Sequence, residues 1–225
     1  MTNTQIKQLL LSRGVHHLYH TNTVATSLSF LQNGGLLSRG LCNDMHLPQT
    51  EQYTDKLDQD YDIFYDIFFD LIEIQRITGI SYYGPVLFEY NIDVLDIVNE
   101  GDIRVSKMNP QKWRKTSSEN ERYFNDYETL AFCYDPYDFG QHIMLKNQTK
   151  PLPFDFLEKI VLSNPQQDEN SLFESAKKAI EDVIDDEWID VPLLIRDYNY
   201  NDRFFETYKN REKLNKHYSI GGFSL

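Results

Sequence analysis

Apolar residues recur at helical spacing over residues 4–13 (TQIKQLLLSR), and Gly14 supplies the stop. Residues 17–20 (HLYH) read as a short strand. Thr23 is placed to cap a following helix whose apolar positions are Val24, Leu28, Phe30 and Leu31, ending at Asn33-Gly34-Gly35. Residues 36–41 are expected to begin a second extended segment, and the polar, aperiodic residues 43–60 a surface loop. From Tyr61 the period changes to two: Ile63, Tyr65, Ile67 and Phe69 alternate with Asp62, Phe64, Asp66 and Phe68, the signature of a strand with one buried face. Tyr83-Gly84-Pro85 is turn chemistry, and residues 86–90 (VLFEY) form a strong strand. Shorter strands are predicted at 103–105 and 131–133, with two more at 142–145 and 159–162 flanking Pro151-Leu152-Pro153. Residues 171–185 make an amphipathic helix, apolar at Phe173, Ala176, Ile180 and Val183, before the run 188–194 and an aromatic, charged tail beyond Tyr198.

Strands and helices are segregated along the chain instead of alternating, which favours an α+β fold over a doubly wound sheet. No GxGxxG or GxxxxGK[ST] occurs, so Rossmann and P-loop readings lose their main support. No repeat or flexible linker marks an internal boundary.

A chain of 225 residues can bury a full core. Its longest apolar runs fall far short of the roughly 20 residues that cross a bilayer, and the N-terminus lacks a signal-peptide pattern. Two cysteines, Cys42 and Cys133, with no CxxC pair, argue against a disulfide framework or structural zinc site and leave one optional disulfide. A soluble, cytoplasmic protein without a metal or a membrane partner is expected. The net charge of −13 opposes nucleic acid on average, but its distribution is uneven. Residues 51–105 hold thirteen acids against three bases, whereas residues 106–150 hold seven bases against six acids, with Lys107, Lys112, Arg114 and Lys115 close together. That cluster is either ordinary solvated surface or a local phosphate track. Asp62, Asp66 and Asp70 share one face on either periodicity, as a solvated stripe or, less readily, a cation site.

The stretch HLYHTNTVATSLSFLQNGGLLSRG resembles the entrance of the ADP-ribosyltransferase fold, and in particular the DarT-type toxins that transfer ADP-ribose from NAD to nucleic acid. Further segments resemble relatives of these toxins, including a CmdT-type group of phage-defence toxin–antitoxin–chaperone systems: residues 61–76, 83–88 (YGPVLF), 109–113 (NPQKW) and 139–165. The resemblance implies a split β-sheet core with flanking helices over residues 1–165, and a C-terminal helical extension, residues 166–225, packed on the same domain. It implies a cofactor pocket of His20, Thr21, Asn22 and Arg39, with His20 on ribose hydroxyls and the planar fork of Arg39 on the pyrophosphate of NAD. Tyr19, Tyr61 and Tyr65 are candidates to stack on nicotinamide. The expected acceptor is a base in single-stranded RNA ahead of DNA, and the expected protein partner an antitoxin, for which the acidic residues 181–187 offer a surface.

At the strand where the fold usually carries its catalytic Glu, this chain has Gln141-His142. Gln141, His142 and Asp70 are therefore the expected reacting-centre residues. Three explanations stay open for the missing Glu. Another carboxylate (Asp70, Glu73 or Glu128) substitutes, Gln141 is an engineered inactivating change, or NAD is bound without efficient turnover. The alternatives to a transferase are a non-catalytic NAD- or nucleotide-binding defence module and an NAD glycohydrolase.

Overall fold

The computed structural model describes residues 1–78, 83–135, 137–166, 171–197 and 203–221; the start of the expected aromatic tail, residues 198–202, lies outside them. The chain opens with helix α1 (Asn3–Ser12), started by a capping box in which Thr2 and Gln5 satisfy each other's backbone N–H. Strand β1 (His17–Asn22) and helix α2 (Val24–Gln32) follow, and Gly34, at φ +68°, closes α2 in a left-handed turn. Thr23 is the N-cap by position, but its side chain makes no cap bond; its hydroxyl lies 2.8 Å from that of Thr50 instead.

The next stretch departs from the hydrophobic pattern. The second extended segment shrinks to β2 (Gly35–Leu36), because Ser38 caps a short helix α3 (Arg39–Asp44) by accepting from Leu41 N. The expected surface loop contains helix α4 (Asp55–Asp60). The period-2 run is a strand only at β3 (Ile67–Phe69), since Asp62 adopts φ +60° in the turn that precedes it. After α5 (Ile74–Thr78) come β4 (Val86–Asn91), a 3-10 turn (Ile92–Ile97) and β5 (Ile103–Val105). Another 3-10 turn (Pro110–Lys112) leads to α6 (Glu119–Arg122) and α7 (Tyr127–Cys133). Residues 131–133, expected as a strand, are the last turn of α7, whose Asp126 cap accepts from Thr129 N and so commits the segment to a helix. Strands β6 (Ile143–Leu145), β7 (Leu152–Pro153) and β8 (Leu157–Asn164) precede helix α8 (Ser171–Asp186), β9 (Leu193–Asp197), α9 (Arg203–Tyr208) and α10 (Arg211–Tyr218).

Two main sheets result, an antiparallel β3-β6-β5 and a β1-β4-β8-β9 whose last strand runs parallel to β8. The C-terminal segment is mostly helical but also contributes that edge strand. The helices α8 and α10 pack on α2, and Tyr218 on α10 donates its hydroxyl to the Ser163 carbonyl of β8. The main core lies between sheet and helices, joining Leu18, Phe88, Tyr90 and Ile160 of the strands to Phe30, Phe173 and Ile180 of the helices. A second cluster of Tyr61, Ile63, Trp113, Tyr123 and Met144 covers the three-stranded sheet. There the Arg122 guanidinium sits 5.0 Å from the ring centres of both Tyr61 and Trp113.

Candidate active site in the cleft between the sheets

The two sheets meet where Tyr19 of β1 and Asp70, just past β3, exchange backbone hydrogen bonds of 3.0 and 2.8 Å. Beyond that pair the strands part. A carbonyl facing a parted strand has lost its ladder partner, and at Phe68 the His20 ring replaces it, with Nδ1 2.8 Å from the Phe68 oxygen. A carbonyl oxygen only accepts, so Nδ1 carries the proton and Nε2 of the neutral ring is left as a bare acceptor. Burial pushes the His20 pKa below its ordinary value and keeps the ring neutral. The ring packs against Phe30 and Phe69.

The parted strands open a cleft of about 870 Å³ including its mouth. Tyr19, His20, Thr21 and Asn22 line it from β1, Arg39 from α3, Asp58 from α4, and Asp66 and Asp70 from the two sides of β3. His142 stands at the entrance of β6, and Tyr83 and residues 109–111 close the rim. The end of β1 is held tightly by Gly84, at φ +147°, whose Cβ position would fall 2.2 Å from the Asn22 carbonyl oxygen. Only glycine allows that approach.

All four residues expected to hold a cofactor thus line one cleft. Asn22 is buried and turns its Oδ1 to Thr23 N at 2.9 Å. Arg39 forms a two-point pair with Asp55, Nε at 2.9 Å and Nη2 at 2.5 Å, while its Nη1 is buried without a hydrogen-bond partner. His20 Nε2 and Asp66 Oδ2 are buried and unpartnered as well. Buried polar groups ordinarily find partners, so three orphans lining one cleft mark a place that a polar ligand would complete.

Of the residues expected at the reacting centre, Asp70 and His142 come together and Gln141 does not. Asp70 Oδ1 lies 3.0 Å from His142 Nδ1. Gln141 is buried outside the cleft lining, where its Oε1 accepts from Asp135 N and its Nε2 donates to the Cys133 carbonyl. Side chains on an extended segment alternate in direction, so His142 reaches the cleft because its neighbour does not. Nor do the other proposed substitutes for a Glu reach it: Glu73 pairs with Arg196, and Glu128 is exposed in the first turn of α7. Among the aromatics, Tyr19 lines the cleft, but Tyr61 donates to the Trp113 carbonyl and the exposed Tyr65 to Asp44, both outside it. Asp62, Asp66 and Asp70 do not form a shared cation site. Asp62 is exposed, Asp66 accepts from Asn147 N at 3.0 Å, and Asp70 engages His142. Both cysteines are free.

The residues missed in the sequence are Asp55, Asp58 and Tyr83. Asp58 lies within a helix whose polar run hid it, and burial, reinforced by Asp55, raises its pKa to about 7. Burial likewise raises Asp66 to about 7. Tyr83 stacks on Tyr53 at 12° between ring planes.

The split pair of sheets around this cleft matches an ADP-ribosyltransferase fold. More particularly, the fold is DarT-like: the chain matches the DarT of Thermus sp. 2.9 solved in complex with ADP-ribosylated single-stranded DNA, at TM-score 0.51 and 12% identity, over 81% of this chain and 95% of that one. The same protein solved with NAD+ matches at TM-score 0.50 and 11% identity, over 81% and 96%. No protein-family model and no curated protein sequence matches the chain.

Proposed function

We propose that this protein binds NAD in the cleft and transfers its ADP-ribose to single-stranded nucleic acid, RNA ahead of DNA, as a toxin controlled by an antitoxin in phage defence. The observation that carries the reading is the Asp70–His142 pair, with a 3.0 Å contact, in the same cleft as the unpartnered atoms of His20 and Arg39. The DarT-like fold supports it, because the similar Thermus protein is solved with NAD+ and with ADP-ribosylated DNA.

In this reading His20 Nε2 accepts a hydrogen bond from a ribose hydroxyl, and the unpartnered Nη1 of Arg39 meets the pyrophosphate. The C1′–N bond to nicotinamide breaks with its electron pair passing to the ring nitrogen, and neutral nicotinamide departs. The Asp70 carboxylate stabilises the positive charge that develops on the ribose, the task a Glu performs elsewhere in the fold. A lone pair of the acceptor base forms the new bond to C1′, and its proton passes to His142 Nε2, with Asp70 steadying the resulting imidazolium. This assigns the open role of catalytic carboxylate to a residue 71 positions before Gln141.

The test is incubation with NAD labelled in its adenylate, together with single-stranded RNA, single-stranded DNA or protein extract. Label on nucleic acid is expected. Free ADP-ribose alone assigns the protein to the glycohydrolases, and bound but unconsumed NAD makes it a non-catalytic module.

A further inference from the structure

The sequence left Lys107, Lys112, Arg114 and Lys115 open between ordinary solvated surface and a phosphate track. Residues 103–118 hold five cations and no carboxylate, in a chain of net charge −13. The structure fixes this stretch against the cleft. Asn109, Pro110 and Gln111 line the cleft itself. Trp113 anchors the next turn of chain: its ring is buried against Tyr61 and Tyr123, and its carbonyl accepts from the Tyr61 hydroxyl. A buried Trp113 leaves its neighbours Lys112 and Arg114 exposed at the rim, and of the described residues neither takes part in an ion pair. Lys115, by contrast, pairs with Asp60 at 2.9 Å, and Lys107 donates to the Asn120 carbonyl.

An exposed aromatic stands beside this stretch. Tyr53 is 65% exposed, its ring lies nearly parallel to the cleft residue Tyr83, and its hydroxyl accepts from Gln111 Nε2 at 2.6 Å. Tyr53 and Tyr83 also line a second groove, which shares Gln52 and Tyr83 with the cleft and is bordered by Lys213 and Lys216 of α10. Glu51 and Glu212 line that groove too, so its charge is mixed, and the cations next to the cleft-lining residues 109–111 are Lys112 and Arg114.

Two exposed cations on an anchored turn of chain, next to an exposed, supported aromatic ring, are a combination that holds single strands: the cations follow the backbone while bases stack on the ring. We infer that the acceptor strand crosses the cleft mouth here, with Lys112 and Arg114 on its phosphates and a base next to the modified one stacked on Tyr53. This rests on the transferase reading above. It adds where the strand lies and which groups, none of them in the NAD cleft, hold it.

The probe is a fluorescent mixed-sequence single-stranded 20-mer, as RNA and as DNA, titrated at several salt concentrations. Lys112→Ala/Arg114→Ala is expected to weaken binding at least tenfold near physiological salt. It should also flatten the slope of log affinity against log salt by about 1.4, the value for two lost phosphate contacts on a single strand. Tyr53→Ala is expected to weaken binding about five- to a hundredfold, and Tyr53→Phe, which keeps the ring, to retain it. Melting temperatures serve as the check on folding. If the unaltered protein neither binds nor modifies either oligonucleotide, the transferase reading itself fails. If it does both, and the double variant matches it in affinity and salt slope, this surface is wrong while the transferase reading stands.

Discussion

Asp70 and His142 are 72 residues apart in sequence, yet the Asp70 carboxylate meets the His142 imidazole at 3.0 Å beside the cleft. The contact exists because Asp70 lies just past β3 and His142 just before β6, and these strands pair with Phe69 opposite Ile143. The pair fixes the ring tautomer and leaves Nε2 as the basic nitrogen. His142→Ala is expected to lower the rate of ADP-ribose transfer about 10²- to 10⁴-fold, with little change in NAD affinity. Asp70→Asn should lower the rate by a similar factor. Single-turnover kinetics across pH check both, and full activity in either variant removes the pair from the reaction.

His20 serves the fold and the ligand through different nitrogens, Nδ1 on the Phe68 carbonyl and Nε2 toward the cleft. His20→Ala is expected to weaken NAD binding about tenfold, because a hydrogen bond to the ligand is lost. Calorimetric titration with NAD reads this directly. Unchanged affinity would remove β1 from the pocket.

Gln141→Glu is expected to yield no gain in transfer. The new carboxylate would sit away from the cleft, unable to donate to the Cys133 carbonyl, and close to the Asp135 backbone. Losing that hydrogen bond from the buried position 141 costs about 0.5–1.5 kcal/mol, which denaturant melts will show as a lower midpoint. A Glu variant that gains activity would restore Gln141 to the reacting centre.

Burial raises the Asp66 pKa from 3.8 to about 7. The folded state therefore binds a proton more tightly than the unfolded chain does, and the stability this gives is complete below pH 3.8 and lost as pH rises towards 7. The stability of Asp66→Asn relative to the unaltered protein should accordingly grow between about pH 4 and pH 8, by up to about 4 kcal/mol. Asp58 titrates in the same window and is itself raised in part by the Asp66 charge, so a small part of the difference is relief of that repulsion. A pH-independent difference between the two would refute the raised pKa.

Much of the local structure followed from side-chain pattern alone. The helical period of α1, the β-turn chemistry at Gly34 and Gly84, the apolar strand β4 and the amphipathic α8 each rest on interactions within a few residues. The motif from His17 to Arg39 likewise marked one wall of the cleft, because β1 carries His20, Thr21 and Asn22 and the start of α3 carries Arg39 within the same short segment. Local pattern failed where a nearby cap outweighed hydrophobic period, at α3 and α7, and where a left-handed residue broke an alternating run at Asp62.

What the sequence could not determine is direction and partnership across the fold. Gln141 and His142 are neighbours, but only the pairing of β6 between β3 and β5 decided which of them enters the cleft. The carboxylate that meets His142 comes from a strand contributed half a domain earlier, and the Arg39 side chain was claimed by Asp55 of a helix hidden in a polar run. The sequence by itself determined which residue types are available for the chemistry and the one wall that holds four of them. Tertiary structure alone brought the opposite wall to face it, because side-chain direction in a strand alternates and contact between distant strands depends on register, neither of which is written in any single segment.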